Sequence, residues 1–368
     1  MPRSKLLSFT FLLVLYSLIL TVPLAAQDFP VRTIPLSSPA FHGKLSPDGK
    51  TLVTFEDTNM LGLDAVDAAL LPAKVIDIAS GKELAQLSGF TDFVADADFT
   101  SDGQSLATFH GNGDLYIWNA ADWGKPATVW HTALFGPTRI QFMPDNKTLM
   151  VQVGGIPQRF VLLDTTNGYI TQTIGPRFDS FLDFRENYVQ FPGQGDITFA
   201  SFEGSPDGKL LATATANDEV QVWNIADNSK VTLRPPSEKF AQFNIRQLLF
   251  TPDSQSLLYF DRADNLTHIW DVATQTETGT MGGGQLMGLT PDGIYLAWVE
   301  KSEDGNTGVF VASLSAPDSV AKVLDLGSDV RVVPSISFLY FTPDGGQMVL
   351  GGLFAKDENN AVYVIQGQ

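Results

Sequence analysis

Few residues in this 368-residue chain have the chemistry for catalysis, and they are scattered. There are four histidines, His42, His110, His131 and His268, and no cysteine. Without thiols there is no disulfide and no thiolate metal site, so acid–base or metal chemistry would have to come from carboxylates, amides and four imidazoles. His110 stands in "FHGNGD" close to Asp114, but one His and one Asp do not make a base with its orienting partner. His268, inside "THIWD", reads as a core or strand-surface position. A nucleophile elbow needs Gly-x-Ser-x-Gly, whereas residues 204–208 read "GSPDG", the composition of a tight turn. The glycine run at 282–284 in "MGGGQLMG" lacks the strand-to-helix setting of a phosphate loop and reads as a flexible connection. Two stretches carry the oxygen ligands that calcium takes: "KSEDGNTG" at 301–308, and Asp261 with Asp264 and Asn265. Neither has the ligand spacing of a hand-type loop. No catalytic set, metal site or cofactor is therefore expected, with calcium at these stretches as the alternative.

Binding is better provided for than catalysis. In "GPRFDSFLDFRENYVQFPGQGDITFA" at 175–200, Phe178, Phe181, Phe184, Tyr188 and Phe191 fall within 14 residues, beside Arg177 and Arg185. Aromatic residues with Arg are what protein interfaces favour, which makes these five the candidate partner-binding residues. The competing reading is packing behind an outer strand. Two other long segments read as structural loops: Glu56–Pro72, with Leu63, Val66 and Leu70 at helical spacing, and Arg234–Gln247, with Phe240 and Phe243.

The elements that position these residues come from a repeat. "SPDGK" occurs at 46–50 and again at 205–209, and degenerate copies occur at 100–103, 143–146, 251–254, 290–293 and 342–345. Pro pre-sets φ for the first central turn position, Asp tolerates the next, and Gly supplies a positive φ that closes a hairpin. Asp is present in all seven copies, Pro in six and Gly in five, with Asn146 and Ser254 as the substitutes and Ser254 the poorer fit. Five residues after the Pro position stand Leu52, Leu106, Leu149, Leu211, Leu257, Leu296 and Met348. Two residues before it stand Leu45, Phe99, Phe142, Phe250, Leu289 and Phe341, with Gly204 the exception. Each copy is thus strand, turn, strand in one register. A third strand comes next as "LYIWN", "VQVWN" and "THIWD", matched elsewhere by "KVIDI", "FVLLD", "GVFVA" and "AVYVI". Successive turns lie 39 to 62 residues apart, room for a four-stranded unit with variable loops.

Residues 86–119, 199–224 and 247–271 resemble the repeat of WD-repeat β-propellers, and the register of the turns extends the resemblance over residues 30–368. It also resembles the looser bacterial propeller repeats marked by "SPDG". The fold this implies is an all-β, seven-bladed β-propeller of four-stranded antiparallel blades, a single domain spanning 28–368. The resemblance implies a Gly-His pair and a turn Asp that bond Ser/Thr and Trp. Here Gly89-Phe90 replaces Gly-His and Asn112 and Asn217 occupy the turn position, so the polar network is expected to be missing from the blade of Trp118. "PVRTIPLS" at 30–37 precedes the first unit, and the last legible strand is the third of its blade. The N-terminal stretch is therefore predicted to supply the outer strand of the last blade and close the ring.

Arg3 and Lys5, the apolar run Leu6–Val22 and Pro23-Leu24-Ala25-Ala26 have the make-up of a signal peptide over residues 1–26. The alternative is an uncleaved anchor, since that run is 17 residues long. Removing 1–26 takes away two basic groups and no acid, shifting the formal charge from −18 to −20. Such an excess disfavours nucleic acid and anionic membrane surfaces as partners. Together these features imply an exported, periplasmic or extracellular, monomeric and non-enzymatic scaffold for an unknown protein or peptide. The alternative is an enzyme or small-ligand binder at the channel mouth, which would require three or more Asp, Glu, Asn or His side chains meeting at the axis.

Overall fold

The structure is a computed structural model. It describes residues 29–36, 42–56, 71–134, 137–153, 159–175, 199–235, 244–284, 286–302, 305–328, 337–352 and 361–367. The candidate signal peptide, the five aromatic candidates, the apolar loop positions Leu63, Val66 and Leu70, and Phe240 and Phe243 all lie outside these residues.

Strand β1 (Val31–Pro35) comes first. Blade 1 has β2 (His42–Leu45), β3 (Thr51–Phe55), β4 (Ala73–Asp77) and β5 (Glu83–Leu87). Blade 2 has β6 (Val94–Phe99), β7 (Ser105–His110), β8 (Asp114–Asn119) and β9 (Thr128–His131). Blade 3 has β10 (Pro137–Phe142), β11 (Thr148–Val153), β12 (Arg159–Asp164) and β13 (Tyr169–Ile174). Blade 4 has β14 (Phe199–Gly204), β15 (Leu210–Thr215), β16 (Val220–Asn224) and β17 (Lys230–Arg234). Blade 5 has β18 (Ile245–Phe250), β19 (Ser256–Asp261), β20 (Leu266–Asp271) and β21 (Thr276–Met281). Blade 6 has β22 (Leu286–Leu289), β23 (Tyr295–Lys301), β24 (Thr307–Ser313) and β25 (Ala316–Gly327). Blade 7 has β26 (Ser337–Phe341), β27 (Gln347–Gly352) and β28 (Ala361–Gln366), and β1 completes it, so each of the seven sheets holds four strands.

The ring closes as predicted. β1 pairs antiparallel with β28, Val31 opposite Ile365 and Pro35 opposite Ala361, and Ile34 is buried at the seam. The first strands of successive blades touch one another around the ring and so surround the central channel. The apolar side chains form seven clusters, and each cluster joins two neighbouring blades. The repeated apolar register now has a cause. Leu52, Leu106, Leu149, Leu211, Leu257, Leu296 and Met348 are all buried, each in the seam with the preceding blade. Gly204, the exception two residues before the turn, leaves room for Gln141 of blade 3; a Cβ there would meet Gln141 Oε1 at 3.0 Å.

Asp recurs in every turn because its carboxylate holds the backbone two residues on. It accepts from the N–H of Lys50, Gln104, Lys147, Lys209, Gln255, Ile294 and Gly346 at 2.9–3.1 Å. The Ser or Thr before the Pro position donates its hydroxyl to the same carboxylate in six copies. The two non-glycine turn residues take the left-handed φ, 58° at Asn146 and 61° at Ser254. Both use their side chains on the preceding blade: Asn146 Oδ1 accepts from Ser101 N at 2.7 Å, and Ser254 Oγ accepts from Asp207 N at 3.1 Å. Those bonds between blades offset the strain of a side chain at positive φ.

The glycines at 282–284 have a packing reason. A Cβ on Gly283 would collide with Thr267 Oγ1, and one on Gly284 with the Val299 carbonyl, so these glycines allow close backbone approach at the entry to blade 6.

Candidate functional site

Seven inner strands present seven backbone edges to the channel, and an unpaired edge group costs free energy unless something bonds it. Side chains from the preceding blade supply the bonds. Asp96 Oδ2 accepts from Ile140 N at 2.8 Å, and Asp98 Oδ2 accepts from Phe142 N at 2.6 Å. Gln141 takes both groups of Gly204, accepting from its N–H at 2.8 Å and donating to its carbonyl at 3.2 Å. Gln247 does the same for Met287, at 2.7 Å each way. Tyr340 Oη donates to the Gly43 carbonyl at 2.9 Å, and Arg139 Nη1 donates to the Phe202 carbonyl at 3.4 Å. These groups stand three or five residues before the Pro position of their turns, one strand face that points to the next blade.

The same face gathers charge. Lys44 Nζ lies 3.3 Å from Asp98 Oδ1, each side chain keeping about a fifth of its surface open to the channel (21% and 17%). Burial pulls the Lys44 ammonium down, but Asp98, Tyr340 and Asp96 together outweigh it and hold the group above its ordinary value. Burial raises the Asp98 carboxyl against the pull of Lys44. Glu203 is pushed up to about 7 by burial, opposed by Arg139 and Lys44, with Asp98 adding repulsion. Asp98 feels both Asp96 and Glu203, so the three carboxylates belong to one electrostatic cluster on this face. Two of the three are committed to the backbone of β10, and Lys44 and Arg139 balance the cluster, so its chemistry is chiefly that of a belt between blades.

Blade 2 overturns the expectation that no polar network forms there. Trp118 Nε1 donates to Thr108 Oγ1 at 3.1 Å, and Thr108 Oγ1 lies 3.2 Å from His110 Nε2. His110 Nδ1 lies 3.0 Å from the Asp92 carbonyl. A carbonyl only accepts, so Nδ1 carries the proton and Nε2 accepts from the Thr108 hydroxyl, giving a one-way chain. Burial lowers the imidazole to about 4, which keeps it neutral. The histidine missing from the loop is replaced by one at the end of β7, and Phe90 packs on it with ring centroids 4.5 Å apart. Nothing in a linear comparison with the repeat signals that exchange. Asp114 is partnered elsewhere: His131 Nδ1 lies 2.6 Å from its Oδ1, and Thr91 Oγ1 donates to its Oδ2 at 2.8 Å.

Of the calcium candidates, Asp261 and Asp264 come together in blade 5, but Asn265 serves the turn with φ 63°. Asp261 is buried and paired with Arg234, Nη2 to Oδ2 at 2.8 Å. The missed member is His268, whose Nε2 lies 3.0 Å from Asp264 Oδ2. The other stretch, 301–308, is described only in part.

The faces of the ring differ. Every strand is antiparallel to its neighbours, so the connections after first and third strands share one face. There the seven repeated turns lie, and no connection exceeds eight residues. The connections after second and fourth strands share the other face. Its strand ends are joined by the four segments longer than that: Phe55 to Ala73, Ile174 to Phe199, Arg234 to Ile245 and Gly327 to Ser337. The segment holding Phe178, Phe181, Phe184, Tyr188 and Phe191 joins strand ends on this loop face.

No family model matches the sequence. Over 162 residues, 42% of the chain, it is 28% identical to an Arabidopsis thaliana protein described as a WD repeat-containing protein WDS homolog; the match spans 29% of that protein, less than a third of its length. The fold is similar to the crystal structure of the Cps50 (Swd1) beta-propeller domain of Myceliophteria thermophila, with a TM-score of 0.64. That likeness covers 93% of this chain and 100% of the other at 10% identity, which shows the seven-bladed propeller fold. The chain is thus similar to a WD repeat-containing protein over part of its length, and its fold is that of a seven-bladed propeller.

Proposed function

We propose that the mature chain is an exported, monomeric, non-enzymatic scaffold that binds a protein or peptide across its loop face. The observation that carries this reading is the asymmetry of the ring: connections of eight residues or fewer on one face, and every longer connection joined to strand ends on the other. Propeller strands are a scaffold, and function resides in the variable connections. The similarity to WD-repeat proteins supports a binding role, as does the commitment of Asp96 and Asp98 to backbone bonds. The 176–191 segment, rich in Phe and Arg, is the proposed contact region.

The test uses the full-length chain with a C-terminal tag, recovered from envelope and medium, with a photo-crosslinking residue placed singly on each face. Crosslinks to one partner from loop-face positions, abolished when 176–191 is replaced by a Gly/Ser segment, are expected. Equal crosslinking from the turn face, or a partner retained after the replacement, refutes it. N-terminal sequencing of the same material should begin at Gln27; Met1 on the mature protein would refute cleavage.

A further inference from the structure

In blade 5, the turn between β19 and β20 and the first half of β20 assemble a mixed imidazole–carboxylate group. Asp261, Asp264 and His268 bring one ligand atom each within 4.8 Å of one another, the one such trio among the described residues. Tetrahedral sets with bonds of about 2.0–2.2 Å have ligand atoms about 3–4 Å apart, so small side-chain adjustments suffice. The 3.0 Å from His268 Nε2 to Asp264 Oδ2 is already at that spacing.

His268 carries a feature that the turn alone does not explain. Its other nitrogen, Nδ1, lies 2.8 Å from Glu277 Oε1, on a different strand and outside the trio. A neutral imidazole has one N–H, so it satisfies one of two flanking carboxylates and turns a lone pair on the other. A carboxylate on the far nitrogen is how metal-binding histidines are oriented. The ring is also fixed: it stacks on Tyr259 with centroids 5.0 Å apart and planes 19° apart, and its side chain is 15% exposed. Asp261 is held from behind by Ala263 N at 2.8 Å, and Asp264 by Leu266 N at 3.0 Å.

We propose that Asp261, Asp264 and His268 form a site for a borderline divalent transition ion of the Zn2+ type. Glu277 positions the imidazole and water completes the coordination. Two carboxylates and a neutral imidazole balance a divalent charge, and imidazole favours such an ion over calcium. Arg234, 2.8 Å from Asp261, is the cation that competes with it. The bound ion would tie the end of β19 to the β19–β20 turn and to β20, and pin that part of the loop face. This is independent of the scaffold reading.

The test is titration of EDTA-stripped full chain with Zn2+ by calorimetry and with Co2+ by visible absorption. One equivalent of Zn2+ should bind, and Co2+ should give the intense bands of a four-coordinate N/O site not displaced by excess Ca2+. His268→Gln and Asp264→Asn should each weaken binding at least tenfold. Glu277→Gln should weaken it by about 10–100-fold. Arg234→Gln, which removes the competing cation, should tighten it, an effect no merely damaged fold would produce. His131→Gln should change nothing. Absence of saturable binding, octahedral Co2+ spectra, displacement by Ca2+, or loss of binding in His131→Gln would each overturn the proposal.

Discussion

Replacing Glu203 with Gln should stabilise the protein at neutral pH and do progressively less as the pH falls. In the folded channel its carboxyl is pushed up to about 7, because burial penalises its charge more than Arg139 and Lys44 reward it. A group whose folded value exceeds its unfolded one contributes full stability below the unfolded value, and loses it as pH rises through the folded value. For Glu203 the window therefore runs from the ordinary carboxylate range, 4.5, up to about 7. The upper limit over that window is about 3 kcal/mol, from 1.4 kcal/mol per unit. The channel is open to water, which reduces the realistic figure to about 1–2 kcal/mol. Gln has no charge to lose, so the difference between variant and wild type should grow by that amount between pH 5 and pH 8. In a chain of this size it amounts to about 1–4 °C in Tm. Urea unfolding of both proteins at pH 5, 6, 7 and 8 reads the difference directly. Lys44, Asp96, Asp98, Arg139, Tyr340 and the histidines are common to both, so their titrations largely cancel. A difference that is constant with pH, or that shrinks as pH rises, would refute the claim that burial dominates at Glu203.

Two further perturbations separate the sources of stability. Thr108→Val keeps the shape of a buried side chain but strands Trp118 Nε1 and His110 Nε2, and should destabilise by about 1–3 kcal/mol in urea unfolding; a loss below about 0.5 kcal/mol would show that the chain of bonds contributes nothing net. Deleting residues 28–38 removes β1 with its buried Ile34 and bares the edge of β28, and should lower the melting temperature by about 10 °C or more; a truncated chain that melts with the intact one would mean the ring does not need that strand.

The ring was legible in the sequence because one constraint repeats. Burying the same face at every seam forces an apolar residue five positions past each turn, and a tight turn forces Asp and a residue of positive φ. Both survive divergence because each has a local cause, in the seam for Leu106 and in the Gln104 N–H for Asp102. The N-terminal strand was legible for a related reason: a ring whose last blade shows three strands must find its fourth. What the sequence hid was satisfied by geometry instead of position. His110, at the end of β7, bonds Thr108 in place of the histidine expected beside Gly89, where Phe90 instead packs on its ring. His268 escaped the calcium reading because its partners, Asp264 and Glu277, come from a turn and a neighbouring strand. The channel belt was partly visible, as the polar alternation in "ADADF" and "RIQF", but only the ring reveals that these side chains serve the backbone of the next blade.

The two faces differ in how much sequence freedom they leave. On the turn face, Asp and Ser or Thr in each copy bond one another and the backbone, and neighbouring turns touch: a Cβ on Gly208 would meet Pro144 Cδ at 2.8 Å. A change there disturbs the local turn and the adjacent blade together, so it carries a folding cost whatever it does for binding. On the loop face the strand ends are already anchored by their seams, and lengthening a connection costs only slowly rising loop-closure entropy. A chain that keeps its ring while changing what it binds will therefore accumulate differences after second and fourth strands. That is where the connections of this protein are long, and where Phe178, Phe181 and Phe184 occur in the chain. The physics that makes seven turns alike thus also makes the opposite face the place to look for a partner.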